Sequence, residues 1–112
     1  MPERGEIWLA DLNPGRGTEP GKTRPVLIVQ CRALLDAGHP STLIVPLTTR
    51  LVDDAEPLRI PVSGRLAQNS DLLIDQLRAI DNRRLVSGPL TRIPARQMAV
   101  VSAAIREVLD LV

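Results

Sequence analysis

Ten prolines are spread from Pro2 to Pro94 and keep every regular element of this 112-residue chain short. Proline lacks the N–H that a helix interior or a central strand needs, so regular elements fall between prolines. Those intervals are short and apolar, which favours a strand-rich fold with many turns. A chain of this length is typical of one hydrophobic core, and we predict a single domain over residues 1–112.

Several apolar segments have the composition of strands: Glu6–Leu12, Pro25–Gln30, Thr42–Leu47, Leu58–Val62 and Leu72–Leu77. The second is a continuous apolar run, which is typical of a strand buried on both faces. Pro46, inside the third, predicts an edge or a bulge position. A connector, Ala33–Pro40, and a polar turn, Asp81–Arg84, separate the remaining segments.

The C-terminal part changes to a helical period. From Pro94 onward, apolar residues recur on one helical stripe, namely Met98, Val101, Ile105, Val108, Leu109 and Val112. Pro94 suits the first helical turn, where a missing N–H breaks no hydrogen bond. The pattern therefore predicts a mainly-β fold, a small barrel or curled sheet closed by one C-terminal amphipathic helix.

Composition excludes several functional classes. No apolar run approaches the ~20 residues of a membrane span, and no apolar leader is visible, so we expect a cytoplasmic protein without a membrane partner. Cys31 is the single cysteine and excludes both an internal disulfide and a cysteine metal site. Trp8 is the single aromatic residue, which argues against a base-stacking surface. With a net charge of +1, any polyanion must bind a local patch.

The glycine-rich loop Asn13–Thr23 superficially resembles a phosphate-binding P-loop. That motif needs four residues between its glycines, whereas Gly17 and Gly21 enclose three and Gly15 and Gly21 enclose five. It also needs a following helix, and here a β-branched strand follows. We interpret the loop as a flap over a neighbouring site.

Other polar residues divide into two groups. His39 is the single histidine and is predicted to be a solvated loop residue, as is the acidic cluster Asp53–Glu56. Arg24 before a buried strand, Thr48 and Thr49 after another, and Asp75 within an apolar run have more potential for chemistry. Two interpretations of Asp75 stay open: an outward-facing residue that follows the strand alternation, or one member of an Arg–Thr–Asp site.

Collinear blocks along the chain resemble the MazF/PemK (Kid) family of toxins from toxin–antitoxin systems. These blocks are Arg4–Pro14 (RGEIWLADLNP), Gly17–Glu19 (GTE), Thr23–Val29 (TRPVLIV), Val45–Thr49 (VPLTT) and Asp75–Asp81 (DQLRAID). The resemblance implies an SH3-like barrel of about five to seven strands, similar to CcdB and PemK, that forms a homodimer. It also implies cleavage of single-stranded RNA, mainly mRNA, without metal or cofactor, leaving a 2′,3′-cyclic phosphate and a 5′-hydroxyl. The implied second partner is a MazE-like antitoxin whose disordered acidic tail covers the RNA groove.

Site roles follow from the same resemblance, position by position. Arg24 matches the family's catalytic arginine, Thr48 its catalytic threonine, and Asp75 an acid that is catalytic in some members. The expected RNA-contacting residues are Glu19, Thr49, Ser70 and Gln76. The chain departs from the pattern at Pro20, where a glutamine is usual, and lacks the flap aromatic or histidine of some members.

The implied chemistry needs a proton acceptor for the 2′-hydroxyl, stabilisation of a charged phosphorane, and a proton for the leaving 5′ oxygen. Arg24 stays protonated and suits phosphorane stabilisation, Thr48 can add a hydrogen bond, and Asp75 is the candidate base. Two alternatives stay open: a non-enzymatic, protein-binding gyrase poison similar to CcdB, and an RNA-binding module without catalysis.

Overall fold

The computed structural model describes residues 1–19, 21–63 and 65–111. Its strands are β1 (Glu6–Asp11), β2 (Thr23–Ile28), β3 (Ser41–Thr48), β4 (Arg59–Val62), β5 (Ser70–Leu73), β6 (Arg78–Asp81) and β7 (Leu85–Arg92). Its helices are α1 (Arg32–Asp36) and α2 (Ala95–Val108), with 3₁₀ turns at Ile74–Gln76 and Asn82–Arg84. Among the described residues, no helix has the length and apolar character needed to cross a membrane.

The strands form one antiparallel sheet in the order β4–β5–β3–β2–β1–β7, and β6 joins it beside β3. One edge of β3 pairs with β2, while its other edge pairs first with β6 and then with β5. Two strands thus share this edge of β3, and α2 packs on one face of the sheet through Val101 and Ala104. The predicted mainly-β fold with a C-terminal helix is confirmed.

The core has two clusters, one on each face of the central strands. Leu27 of β2 belongs to the cluster that receives Val101 and Ala104 of α2. Its neighbours Val26 and Ile28 belong to the opposite cluster, which also receives Leu35 of α1. Burial on both faces, predicted from the apolar run, is confirmed, and each such side chain contributes about 1.5–3 kcal/mol.

The predicted helical stripe is largely confirmed. Val101 is fully buried, and Met98, Ile105 and Val108 pack partly buried against the same cluster. Leu109 is exposed instead, because α2 ends at Val108 and the chain turns away. Val112 lies outside the described residues. Pro94 is the N-cap residue of α2 and not its first helical residue.

Two strand predictions are corrected. The expected strand Leu72–Leu77 ends at Leu73, because Ile74–Gln76 forms a 3₁₀ turn that redirects the chain into β6. Pro46 lies in a central strand, paired with Val26. On the other edge of β3, the β6 pairing ends at Ile44 and the β5 pairing begins at Leu47, so Pro46 lies at a break between two partners. A residue without an N–H is tolerated there.

The strand β7 was not predicted. It is an edge strand that pairs with β1 and is mostly exposed, so its sequence lacks an alternating apolar pattern. It also contains Gly88 and Pro89, which are typical of turns. Trp8 of β1 lies against Gly88, where an added Cβ would stand 2.5 Å from Trp8 Cδ2. The strand therefore depends on a contact between residues far apart in the chain.

The predicted polar turn after β6 is confirmed. The carboxylate of Asp81 caps the 3₁₀ turn Asn82–Arg84 by accepting from the Arg83 backbone N–H at 2.8 Å. It also accepts from Arg83 Nε at 3.0 Å. These hydrogen bonds to its charged form lower the pKa of Asp81 to about 2.

The lowered pKa of Asp81 predicts a small acid sensitivity. Because the folded-state pKa lies below the unfolded one, the turn adds stability above about pH 4 that is lost as the pH falls towards 2. We expect Asp81→Asn to be less stable than the wild type at pH 7, and this difference to become much smaller as the pH falls towards 2. Urea unfolding at both pH values measures this, and an equal difference at the two would contradict it.

Gly88→Ala is expected to lower the free energy of unfolding by about 1–3 kcal/mol, the usual cost of forcing a methyl group into occupied space. Ser87→Ala on the same exposed strand is the matched control and should change stability by less than about 0.5 kcal/mol. Trp8 fluorescence during urea unfolding measures the free energy of unfolding of both variants. An unchanged free energy in Gly88→Ala would mean that the indole moves away at no cost.

Candidate active site

Arg24 and Thr48 lie near the ends of two paired strands, β2 and β3. The ladder between these strands runs from Ile28–Ile44 to Val26–Pro46, and Arg24 lies two residues before Val26. Beyond the ladder, the side chain of Arg24 reaches the Leu47 carbonyl of β3, next to Thr48. On the far edge of β3, Thr48 pairs with Asp71 of β5.

The guanidinium of Arg24 is held by two backbone carbonyls. Its Nε donates to the carbonyl of Gly21 at 3.0 Å, and its Nη1 donates to the carbonyl of Leu47 at 3.3 Å. An arginine has five N–H donors, so three have no partner among the described residues. Arg24 is half-buried and oriented, yet keeps donors for a ligand.

The glycine-rich loop beside Arg24 is closed at its base. Asn13 Oδ1 accepts from the Lys22 backbone N–H at 2.7 Å, and the backbone N–H of Leu12 donates to the Lys22 carbonyl at 2.9 Å. Gly15 and Gly21 lie in close contact, because a Cβ on Gly15 would be 2.8 Å from the Gly21 nitrogen. The base of the loop is thus tied down, and Gly21 can hold Arg24.

Arg24 and Thr48 both line an open cleft of about 510 Å³. Its polar lining consists of cationic and hydroxyl side chains: Thr18, Lys22, Arg24, Thr48, Thr49, Arg50 and Ser70. Pro25, Leu47 and Leu73 form the apolar part of its wall. No carboxylate is among the described lining residues, so the cleft is electrostatically suited to a phosphate group.

Four of the sequence-predicted residues meet in this cleft: Arg24, Thr48, Thr49 and Ser70. The hydroxyl of Thr48 accepts from the Arg50 backbone N–H at 3.2 Å. That bond uses an acceptor position, so the O–H remains available to donate. Ser70 is buried and donates to the Gln68 carbonyl at 3.2 Å.

The other three predicted residues do not line the cleft. Glu19 is exposed on the loop, beside the lining residue Thr18. Asp75 is exposed in the 3₁₀ turn, two residues beyond the lining residue Leu73, and it borders a separate small crevice beside α2. Gln76 follows it and is half-buried. Asp75 is exposed, as in the outward-facing interpretation, but it lies in a turn and not on an alternating strand.

Two cations of the cleft, Lys22 and Arg50, were missed at the level of the sequence. Arg50 directly follows the Thr48–Thr49 pair, and Lys22 directly precedes the Thr23–Arg24 turn. Their adjacency to candidate residues was the available signal. Only the three-dimensional fold decided that both side chains face the cleft.

The remaining polar features take no part in this cleft. His39 is exposed in the loop after α1, as predicted. The acidic cluster Asp53–Glu56 borders a larger neighbouring cleft of about 630 Å³. Within the described ranges, no group of three or more histidine, cysteine or acidic side chains is arranged to hold a metal ion.

Comparison with known proteins shows the family. Residues 3–109 match the model of the PemK-like, MazF-like toxins of type II toxin–antitoxin systems, and the chain belongs to this family. It is 32% identical over 111 residues to an endoribonuclease MazF of Staphylococcus saprophyticus, covering 94% of this chain and 88% of that relative.

Solved structures share the fold. MazF of Deinococcus radiodurans has a TM-score of 0.82 at 24% identity, covering 98% of this chain and 97% of the other. A mycobacterial endoribonuclease, solved in complex with its cognate antitoxin, has a TM-score of 0.80 at 20% identity, covering 100% and 98%. At these identities the structures establish the architecture alone.

Proposed function

We propose that this protein is the toxin of a type II toxin–antitoxin system and acts as a metal-independent endoribonuclease on single-stranded RNA, mainly mRNA in the cytoplasm. The observation that carries the proposal is that Arg24 and Thr48 line one cleft whose polar lining is cationic and hydroxyl-bearing. Family membership and the 32% identical endoribonuclease support it. Cleavage of mRNA would inhibit translation and growth.

The proposed reaction is transesterification through the 2′-hydroxyl. The 2′ oxygen attacks phosphorus, a 2′ O–P bond forms and the P–O5′ bond breaks, which leaves a 2′,3′-cyclic phosphate and a 5′-hydroxyl. Negative charge accumulates on the non-bridging oxygens in the phosphorane. Arg24 can offer paired N–H donors to two of these oxygens, and Thr48 can offer its O–H to one.

Arg24 suits this role because its carbonyl contacts with Gly21 and Leu47 orient the guanidinium before substrate arrives. Donors that are already oriented do not have to reorganise as charge develops. Protonated arginine is a poor base, so it stabilises charge and can pass a proton to the departing 5′ oxygen.

Asp75 is the proposed acceptor of the 2′-hydroxyl proton. Its carboxylate is exposed and has no hydrogen-bond partner among the described residues, and Leu73 of the cleft wall lies two positions before it. In this proposal, an RNA strand leaving the cleft past Leu73 brings its ribose to Asp75.

RNA contacts outside the reacting phosphate are assigned by position. Thr49 and Ser70 would bind the strand within the cleft, and Lys22 and Arg50 would pair with its phosphates. Glu19 on the loop and Gln76 beyond β5 would contact bases at the borders of the cleft. Carboxylate and amide groups can read donors and acceptors on base edges.

Two protein partners belong to the same proposal. A MazE-like antitoxin would lay an acidic segment over the cationic cleft. The described lining of the cleft has no carboxylate that would repel such a segment. A second copy of the chain would complete a homodimer. The mycobacterial structural neighbour, solved with its cognate antitoxin, supports the first partner.

Arg24→Ala is expected to slow RNA cleavage at least about 10²–10³-fold, the usual effect of removing one oriented donor from a developing oxyanion. The assay incubates a long mRNA with protein and EDTA and sequences the new 5′-hydroxyl ends. Arg32→Ala, an exposed arginine on α1, is the matched control and should cut like the wild type.

Full activity of a folded Arg24→Ala variant would reject the assignment. Uncut but retarded RNA with the wild-type protein would favour an RNA-binding module, and no effect on RNA at all would favour the protein-binding toxin.

Asp75→Asn is expected to lower the cleavage rate about 10²-fold, because general base catalysis typically contributes 10²–10⁴. The amide keeps the size of the side chain and removes its basicity. The same RNA assay measures it, with Asp36→Asn on α1 as an exposed control. An unchanged rate would show that Asp75 is not the proton acceptor.

A further inference from the structure

Beside the Arg24 cleft lies an ion pair that the proposed chemistry does not use. Asp71 of β5 and Arg59 of β4 are joined at 3.3 Å, with side chains exposed by 4% and 25%. A pair this buried costs desolvation, and packed apolar residues commonly stabilise such a position as well or better. The backbone ladder already joins β4 to β5, with Pro61 opposite Asp71. Joining these strands therefore does not account for the pair.

Both charges also bind the backbone of the segment that follows β3. Asp71 Oδ2 accepts from the Val52 N–H at 3.1 Å. Arg59 Nη1 donates to the Arg50 carbonyl at 2.7 Å. The Arg50 N–H in turn donates to the hydroxyl of Thr48. A chain of hydrogen bonds thus runs from the ion pair to the proposed catalytic threonine.

The position of Asp71 makes this connection direct. Asp71 is the cross-strand partner of Thr48, and directly opposed residues have their Cβ atoms about 4.5–5.5 Å apart. The segment that it binds supplies Thr49 and Arg50 to the cleft. Movement of this segment would displace the Thr48 hydroxyl and the Arg50 cation together.

We propose that the Asp71–Arg59 ion pair positions the Thr48–Val52 segment for catalysis, so that both are positioning residues of the reaction. This inference rests on the proposed function. Misplacement of a catalytic group by about 1 Å can cost about 10²-fold in rate. Loss of either charge therefore lowers kcat in protein that remains folded.

Steady-state RNA cleavage by Asp71→Asn and Arg59→Met tests the proposal. We expect kcat to fall about 10–100-fold in each, with KM changed by less than about threefold, and partial recovery in Arg59→Lys. Asp81→Asn, which removes the same charge from an exposed ion pair elsewhere, is the matched control. A kcat within twofold of the wild type in folded Asp71→Asn would overturn the proposal.

Two further measurements separate positioning from stability. The double variant Asp71→Leu/Arg59→Met replaces the pair by apolar side chains, so it should fold and still show the low kcat. In a Thr48→Ala background, Asp71→Asn should lose most of its effect, because the hydroxyl that it positions is absent. Wild-type kcat in the double variant, or an undiminished effect in that background, would contradict a positioning role.

Hydrogen exchange of the Val52 amide tests the segment without cleavage. In Asp71→Asn, the exchange rate of this amide should be about tenfold or more above that of the wild type. In Asp81→Asn, the rate should equal that of the wild type. Unchanged exchange would overturn the inference whatever the activity. Absence of cleavage by the wild-type protein would overturn the proposed function instead, so the two failures are distinguishable.

Discussion

The register of β3 with its neighbours is the constraint on which the site depends. Thr48 stands opposite Asp71 of β5 only in the observed pairing, and Arg24 of β2 reaches the neighbouring Leu47 carbonyl at 3.3 Å. A slip of one residue would bring Leu47 or Thr49 opposite Asp71 and would exchange the side chains that enter the two core clusters. The apolar side chains of Val26, Leu27 and Ile28, which alternate between these clusters, hold this register. Core packing and site geometry thus have the same origin.

The candidate site uses oriented donors in place of a histidine. Backbone carbonyls hold Arg24, and the closed base of the glycine-rich loop holds one of those carbonyls, that of Gly21. The Asp71–Arg59 pair acts on the opposite side of the cleft, through the backbone of Arg50 and Val52. On both sides of the cleft, side-chain hydrogen bonds therefore hold the backbone of a loop in place. Strand pairing alone does not order these loops.

Elements with strong local patterns were predictable, and elements made by distant contacts were not. The buried strand around Leu27 and the helix carrying Val101 have continuous or periodic apolar residues. The 3₁₀ turn at Ile74–Gln76 interrupts an apolar run that resembles one strand. The chain turns there because β5 and the following β6 pair with different halves of β3. β7 has little apolar pattern because it is an exposed edge held by β1. Local sequence does not contain those pairings.

By itself, the sequence determined the fold class and the identity of the central candidates, Arg24 and Thr48, because each lies at the end of a segment with a strong apolar pattern. It could not determine that Lys22 and Arg50 share their cleft or that Asp75 lies beyond its wall. Those facts depend on where strand ends and loops meet in space. Tertiary structure decided them, because side chains distant in sequence become neighbours only through the pairing and register of the strands.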